Sequence, residues 1–252
     1  MNLFDSHCHY NDEKFDEDRE QIIEKNLKEI SNAVVAGYSL EASKRAIKIA
    51  EEHEHLYAIV GISPNDISEN INYAEIEELA KHLKVVAIGE IGLDYYWNKE
   101  NKELQKQAFI KQIEIANKLD LPIVIHTREA VMDTLEILKQ HPVNKKGVFH
   151  CCPLNIELIK EALKLGFYIS FSGNITFKNA KNANACIQAV PLDKQLIETD
   201  SPYITPEPHR GERNTPANVK YVAEKIAETH ERTLEEIANI TAENAKRIFE
   251  IK

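Results

Sequence analysis

The chain has 252 residues, with 31 Lys and Arg against 41 Asp and Glu, for a formal net charge of −10 at pH 7. That length suits one large domain or two small ones, and the acidic balance argues against a broad basic surface for duplex DNA. No apolar run approaches membrane-spanning length and the N-terminus lacks a basic-then-apolar leader pattern, so a cytoplasmic protein is expected.

Taken in order, strand-like runs are Asn2 to His9, Asn32 to Tyr38, Leu56 to Ile62, Val85 to Asp94, Pro122 to Arg128, Gly147 to Cys152, Phe167 to Gly173 and Gln195 to Ser201. Their apolar residues form near-continuous blocks, such as Ala33-Val34-Val35-Ala36 and Ile123-Val124-Ile125, as in parallel strands buried on both faces. Between them lie helical periods. In Asp16 to Glu29, Ile22, Ile23 and Leu27 share a stripe; in Lys102 to Leu119, Leu104, Ala108, Ile115 and Leu119 do so. Asn155 caps a helix that runs to Leu165 and stops at Gly166. Thr215-Pro216 places a proline in a first turn, Thr233-Leu234-Glu235-Glu236 is a capping box, and a further helix is expected from Thr241.

Eight strands alternating with helices in about 250 residues predict an α/β fold, a (β/α)8 TIM barrel forming a single domain over 1–252. A doubly wound open sheet is the runner-up, but it usually carries a glycine-rich turn after its first strand, and none stands here. The four cysteines, Cys8, Cys151, Cys152 and Cys186, make neither a CxxC nor a disulfide-dense pattern. Cys151-Cys152 reads as two buried thiols in preference to a redox pair.

A barrel gathers function at the C-terminal ends of its strands. His7 and His9 end the first run, and alternation puts both on one face with Cys8 on the other. Glu90 follows Val-Val-Ala-Ile-Gly, His126 follows Ile-Val-Ile, His150 follows Gly-Val-Phe and Asp200 follows Leu-Ile-Glu-Thr. Each is a polar group set directly after apolar ones, where burial without a partner is costly and coordination removes that cost. Singly, each has a bland reading as a satisfied structural histidine, a turn cap or a loop acid; jointly they read as a metal site. His53, His55, His82, His141 and His230 lie in polar helical or turn-like stretches and read as surface.

Six ligands exceed the three that a catalytic zinc usually takes and suit two cations bridged by a carboxylate, for which Glu90 is the natural candidate. Two divalent ions per subunit are expected, zinc, magnesium or manganese; imidazole-rich donors lean toward zinc, manganese, iron or nickel over magnesium.

These residues sit in Asp5-Ser-His-Cys-His9, Gly89-Glu-Ile-Gly-Leu-Asp-Tyr95, Ile125-His-Thr-Arg-Glu129, Phe149-His-Cys151, and Thr199-Asp-Ser-Pro-Tyr203 with Arg210-Gly-Glu-Arg-Asn214. Nearly end to end, the sequence resembles the TatD family of metal-dependent deoxyribonucleases. The resemblance implies hydrolysis of phosphodiester bonds, typically 3′–5′ exonuclease action on DNA, often on single strands. It implies that His7, His9 and Asp200 hold one metal and His126 and His150 the other, with Glu90 between, and that Asp200 orients or deprotonates the attacking water. Two departures stand at the barrel mouth: Tyr10-Asn11 where the family usually has Leu-Asp, and Cys152-Pro153-Leu154 where it usually has Phe-Ser-Gly. They leave the ligands intact and imply an altered substrate pocket.

The chemistry expected is attack by a metal-activated water, with Asp200 and Glu90 as catalytic carboxylates. Arg128 and Arg213 are candidates for phosphate, or for salt bridges at the rim. Tyr95, Tyr96 and Trp97 can stack a terminal base or pack under a loop. Lysines between Asn174 and Lys181 can guide a strand or face solvent. Two rivals remain: a relative acting on a small ester, amide or phosphoester, and a non-catalytic barrel that binds a partner. Many small-substrate relatives bridge their metals with a carboxylated lysine, and no lysine ends the fourth strand here. The six intact ligands disfavour the binding protein.

Overall fold

A computed structural model describes residues 1–252. Eight strands, β1 (Phe4–Cys8), β2 (Asn32–Ala36), β3 (Leu56–Val60), β4 (Val85–Asp94), β5 (Ile123–Arg128), β6 (Gly147–Phe149), β7 (Tyr168–Phe171) and β8 (Gln195–Ile197), pair in sequence order. Every pairing is parallel. Nine helices follow the strands: α1 (Arg19–Asn26), α2 (Leu40–Glu52), α3 (Tyr73–Leu79), α4 (Lys102–Leu119), α5 (Val131–Gln140), α6 (Ile156–Lys164), α7 (Ala183–Ala189), α8 (Val219–His230) and α9 (Leu234–Ile248). This is the expected (β/α)8 barrel. No helix is long and apolar enough to cross a membrane.

The barrel closes between β8 and β1 largely through bonds at its mouth. His9 N donates to Ser201 O at 2.7 Å and Asp200 N to His7 O at 2.9 Å. Lower down, Ser6 Oγ donates to Ile197 O and Thr199 N to the Asp5 carboxylate. The seam therefore fixes Asp200 directly over His7.

Alternation along the strands makes two apolar layers. Phe4, Val34, Ile59, Val86, Val124, Val148, Tyr168 and Leu196, one from each strand, share a cluster inside the barrel, packed with Ala242, Ala245, Ile248 and Phe249 of the last turns. The opposite faces, including Val35, Ala58, Ile91, Ile125 and Ile169, meet the helices in a second, larger layer. Of three register shifts in the sheet, two adjust this alternation next to the predicted ligands. One lies between Asp5 and Cys8 and the other between Ile88 and Ile91. Such bulges re-aim side chains. Here they leave Cys8 and Ile91 in the outer layer, while His7, His9 and Glu90 converge on one another.

The predicted caps are present. Asn155 Oδ1 accepts from Glu157 N and Leu158 N, Gly166 takes a φ of 89° past α6, and Thr233 and Glu236 form the capping box of α9. Pro216 opens a short 3-10 turn that leads into α8. One expectation is corrected: no helix begins at Thr241. It lies inside α9, where its Oγ1 donates to Ile237 O at 2.8 Å, so the hydroxyl is satisfied by the preceding turn and does not start a new one.

Candidate metal centre

The six predicted ligands come from five strands and meet at the C-terminal mouth. Glu90 lies at their middle and is divided between two sides. Its Oε2 is 3.5 Å from His7 Nε2 and 3.9 Å from His9 Nε2. Its Oε1 is 3.0 Å from His126 Nδ1 and 3.5 Å from His150 Nε2. Asp200 Oδ1 joins the first side, 3.2 Å from His9 Nε2 and 3.7 Å from His7 Nε2. The His7 and His150 rings stack with centroids 4.0 Å apart, which brings the two sides together.

Donor atoms of three overlapping trios, His7-His150-Asp200, His7-His9-Glu90 and Glu90-His126-His150, lie close enough to share a cation. An independent sign agrees. The ring nitrogens of His7 are buried without a hydrogen-bond partner, and its Nε2 is the one that faces Glu90 and Asp200. Buried imidazole nitrogens are ordinarily satisfied, so these orphans fit metal donors. The residues therefore suit divalent cations.

The remaining ring nitrogens are held from behind. His9 Nδ1 faces Ala36 O at 3.1 Å, and His126 Nε2 faces Asp94 Oδ2 at 3.0 Å. His150 Nδ1 faces Glu198 Oε1 at 3.4 Å, and that oxygen also accepts from Cys151 N at 2.6 Å. Backbone carbonyls and carboxylates behind ligating histidines set the tautomer and turn the free nitrogen toward the metal. Asp94 and Glu198 escape a reading of motifs one at a time. The available signal was their location in the strand ends that also carry Glu90 and Asp200.

Charge in the cluster is balanced internally. Burial opposes ionisation of Glu90, yet His150, His126 and His7 hold its carboxyl well below the usual range. Burial likewise opposes ionisation of Asp200, and His9 overrides it and holds the carboxyl low. Asp94 is brought down to about 2, again against burial, by His126 and the Trp97 amide. Among the histidines, burial lowers His7, whereas the carboxylates outweigh burial and raise His9, His126 and His150.

Other expectations divide. Arg128 is exposed at the rim, its guanidinium 4.0 Å from the Tyr96 ring and 5.6 Å from that of Trp97. Arg213 is bound bidentately to Asp18, at 2.9 and 2.6 Å, with its guanidinium 4.9 Å from the Phe15 ring; this is the rim salt bridge. Tyr95 takes the packing alternative: it is buried, and its hydroxyl donates to Asp133 at 2.7 Å, so its face is not free for a base. Tyr10 and Asn11 are fully buried; Tyr10 Oη accepts from Asn26, and Asn11 donates to Ala36 O and Ala42 O. That departure from the family pattern therefore belongs to packing and not to the pocket. Cys152 packs in the outer apolar layer, away from the ligands. Of the five histidines read as surface, only His55 is exposed; His53, His82, His141 and His230 are half-buried, and His230 Nε2 accepts from Gln195 at 2.8 Å. Lys181 lines a surface groove of about 680 Å³, beside Glu224, Lys225 and Glu228. None of the six ligands lines that groove.

Fold and ligand set together define a class, the metal-dependent hydrolases built on a (β/α)8 barrel. The TatD-related DNase family model matches residues 4–250. The uncharacterized metal-dependent hydrolase YabD of Bacillus subtilis is 46% identical over 253 residues, covering 99% of each chain. The uncharacterized metal-dependent hydrolase YcfH of Escherichia coli is 38% identical, covering 100% of this chain and 97% of its own. Among solved structures, the TatD homologue YjjV of E. coli superposes with a TM-score of 0.93 at 26% identity, covering 99% of this chain and 98% of that one. The chain belongs to the TatD-related DNase family.

Proposed function

We propose that the protein is a 3′–5′ exodeoxyribonuclease that hydrolyses phosphodiester bonds of single strands or 3′ ends, with two divalent ions per subunit. The observation that carries this reading is the divided Glu90 carboxylate, one oxygen toward His7 and His9 and the other toward His126 and His150. A carboxylate shared between two imidazole pairs suits a two-ion centre. His7, His9 and Asp200 would hold one ion, and His126 and His150 the other, with Glu90 between. Bound ions supply a lowered pKa for water and neutralise charge on phosphate oxygens.

Asp200 is the general base in this reading. Its carboxyl is held low by His9, so it stays ionised at neutral pH and can take a proton from the attacking water. Its place over His7, set by the amide bond to His7 O, keeps that acceptor at the centre of the mouth. The family's description as DNases supports nucleic acid as the substrate.

The test follows 3′-labelled and 5′-labelled single-stranded oligonucleotides with metal-stripped protein resupplied with magnesium, manganese or zinc, beside Asp200→Ala. Metal-dependent loss of the 3′ label, absent from the Asp200→Ala protein, is the expected result. No cleavage by protein shown to bind two cations would overturn the nuclease reading in favour of a small ester, amide or phosphoester.

A further inference from the structure

Three features of the β4–β5 rim stand outside the metal centre. Tyr96 and Trp97 are exposed, 43% and 66%, and are the only sequence neighbours among the exposed large apolar side chains. Their rings meet edge to face at 4.8 Å. Arg128 lies against both rings and has no side-chain hydrogen bond or ion pair within the protein. Every other arginine has one: Arg19 to Tyr10 O, Arg45 to Asn11 O, Arg210 to Thr205 O, Arg213 to Asp18, Arg232 to Glu236 and Arg247 to Asn244. In a chain of net charge −10, a free guanidinium over two exposed aromatic rings is unusual chemistry.

The rim is tied to the ligands by one side chain. Asp94 Oδ1 accepts from both Tyr96 N and Trp97 N at 2.9 Å, while Oδ2 faces His126 Nε2 at 3.0 Å. The carboxylate that orients His126 therefore also shapes the turn that presents the two rings. On β5, His126 and Arg128 are two residues apart and share a face, so Arg128 stands about 6–7 Å farther out along the same strand.

We infer that Tyr96, Trp97 and Arg128 form a nucleotide subsite of the mouth, in which a base of single-stranded DNA stacks on the aromatic pair and Arg128 takes the adjoining phosphate. Aromatic faces accept any base, which fits an exonuclease that must hold successive nucleotides without reading sequence. A guanidinium stacked on a ring keeps its N–H edge free, and that edge meets phosphate oxygens two at a time. The occupant is single-stranded because duplex bases keep their faces covered. This inference rests on the nuclease reading and deepens it.

Trp97 is the only tryptophan of the chain, so its fluorescence reports on the subsite alone. The probe is a short oligothymidylate with phosphorothioate linkages, which resists cleavage and lets binding be read without turnover. Saturable quenching of Trp97 is expected, with Kd raised roughly tenfold in Tyr96→Ala and in Arg128→Ala. The matching blunt duplex should quench far less. In kinetics on a cleavable single strand, Trp97→Ala should raise KM roughly tenfold and Trp97→Phe should recover most of it, since phenylalanine keeps a stacking face. No quenching by the single strand, or equal quenching by the duplex, overturns the subsite. The two failures separate cleanly: cutting without quenching removes the subsite alone, and quenching without cutting keeps it while removing the exonuclease.

Discussion

Oδ2 of Asp94 lies 3.0 Å from Nε2 of His126, which leaves Nδ1 of the same ring facing Glu90 Oε1 at 3.0 Å. Asp94 is fully buried, and its second oxygen is occupied by two backbone amides of the following turn. One carboxylate thus fixes the tautomer of a ligand and the shape of the rim.

That double duty cannot be met by an amide, which has a single acceptor oxygen. Asp94→Asn should weaken divalent-cation binding about 10- to 100-fold, the usual cost of losing a carboxylate behind a metal-bound histidine. It should also change the emission of Trp97. Calorimetric titration of zinc or manganese into the metal-stripped variant, beside its fluorescence spectrum, checks both. Unchanged affinity would show that Asp94 serves the turn alone.

Glu90 is the ligand that turns one oxygen toward each histidine pair, so its neutral isostere should abolish coupled loading. At a cation concentration 100 times Kd, binding to the folded state adds about 2.7 kcal/mol of stability. For a chain of this length that corresponds to a rise of about 5–10 °C in Tm. Glu90→Gln should lose most of that rise while keeping its volume and fold. A full rise in the variant, read by differential scanning calorimetry with and without chelator, would rule out Glu90 as the shared ligand.

Glu198 supports His150 from the opposite side, and here charge and packing can be separated. Glu198→Gln keeps an acceptor for Cys151 N and gives up the charge beside His150 Nδ1. Metal affinity should fall about tenfold or more with little change in urea unfolding of the metal-free protein. Glu198→Ala leaves a buried N–H unpaired and a cavity behind it, and should cost about 2–4 kcal/mol in the same unfolding measurement. Equal effects of the two substitutions on metal affinity and on unfolding would assign Glu198 to packing.

The ligands are legible in the sequence because each ends an apolar run, and a parallel barrel brings all such ends to one mouth. The strand alternation of His7, Cys8 and His9 is equally legible, and the structure keeps it through the register shift near Asp5. What supports the ligands is harder to read. Glu198 sits in a run that looks like barrel wall, and its partner His150 is 48 positions away, brought close only by closure of the sheet. Local spacing misleads at Thr241, whose hydroxyl is satisfied within a continuous helix. It is equally silent at Tyr95, whose hydroxyl donates to Asp133 of α5, 38 positions away. The same limit separates Arg128 from Arg213, which look alike as candidates for phosphate.

Those two arginines give the last prediction. Arg213 already has a carboxylate partner in Asp18, 195 positions away, and its guanidinium lies over Phe15. Releasing it to a phosphate would break that pair. Arg213→Ala should therefore change KM for a single-stranded oligonucleotide much less than Arg128→Ala does, and should instead lower stability by about 0–1 kcal/mol, as for a surface ion pair. The pH dependence carries the sign. Arg213 holds the Asp18 carboxyl below its ordinary value, so the pair's contribution is fully present above the unfolded carboxyl pKa of about 4. It is lost as pH falls through the lower folded value. The stability gap between wild type and Arg213→Ala should be constant from about pH 5 to 8 and close progressively below about pH 4. Urea unfolding at a series of pH values reads the gap. A gap that widens in acid, or a KM effect as large as that of Arg128→Ala, would move Arg213 from the salt bridge to the substrate.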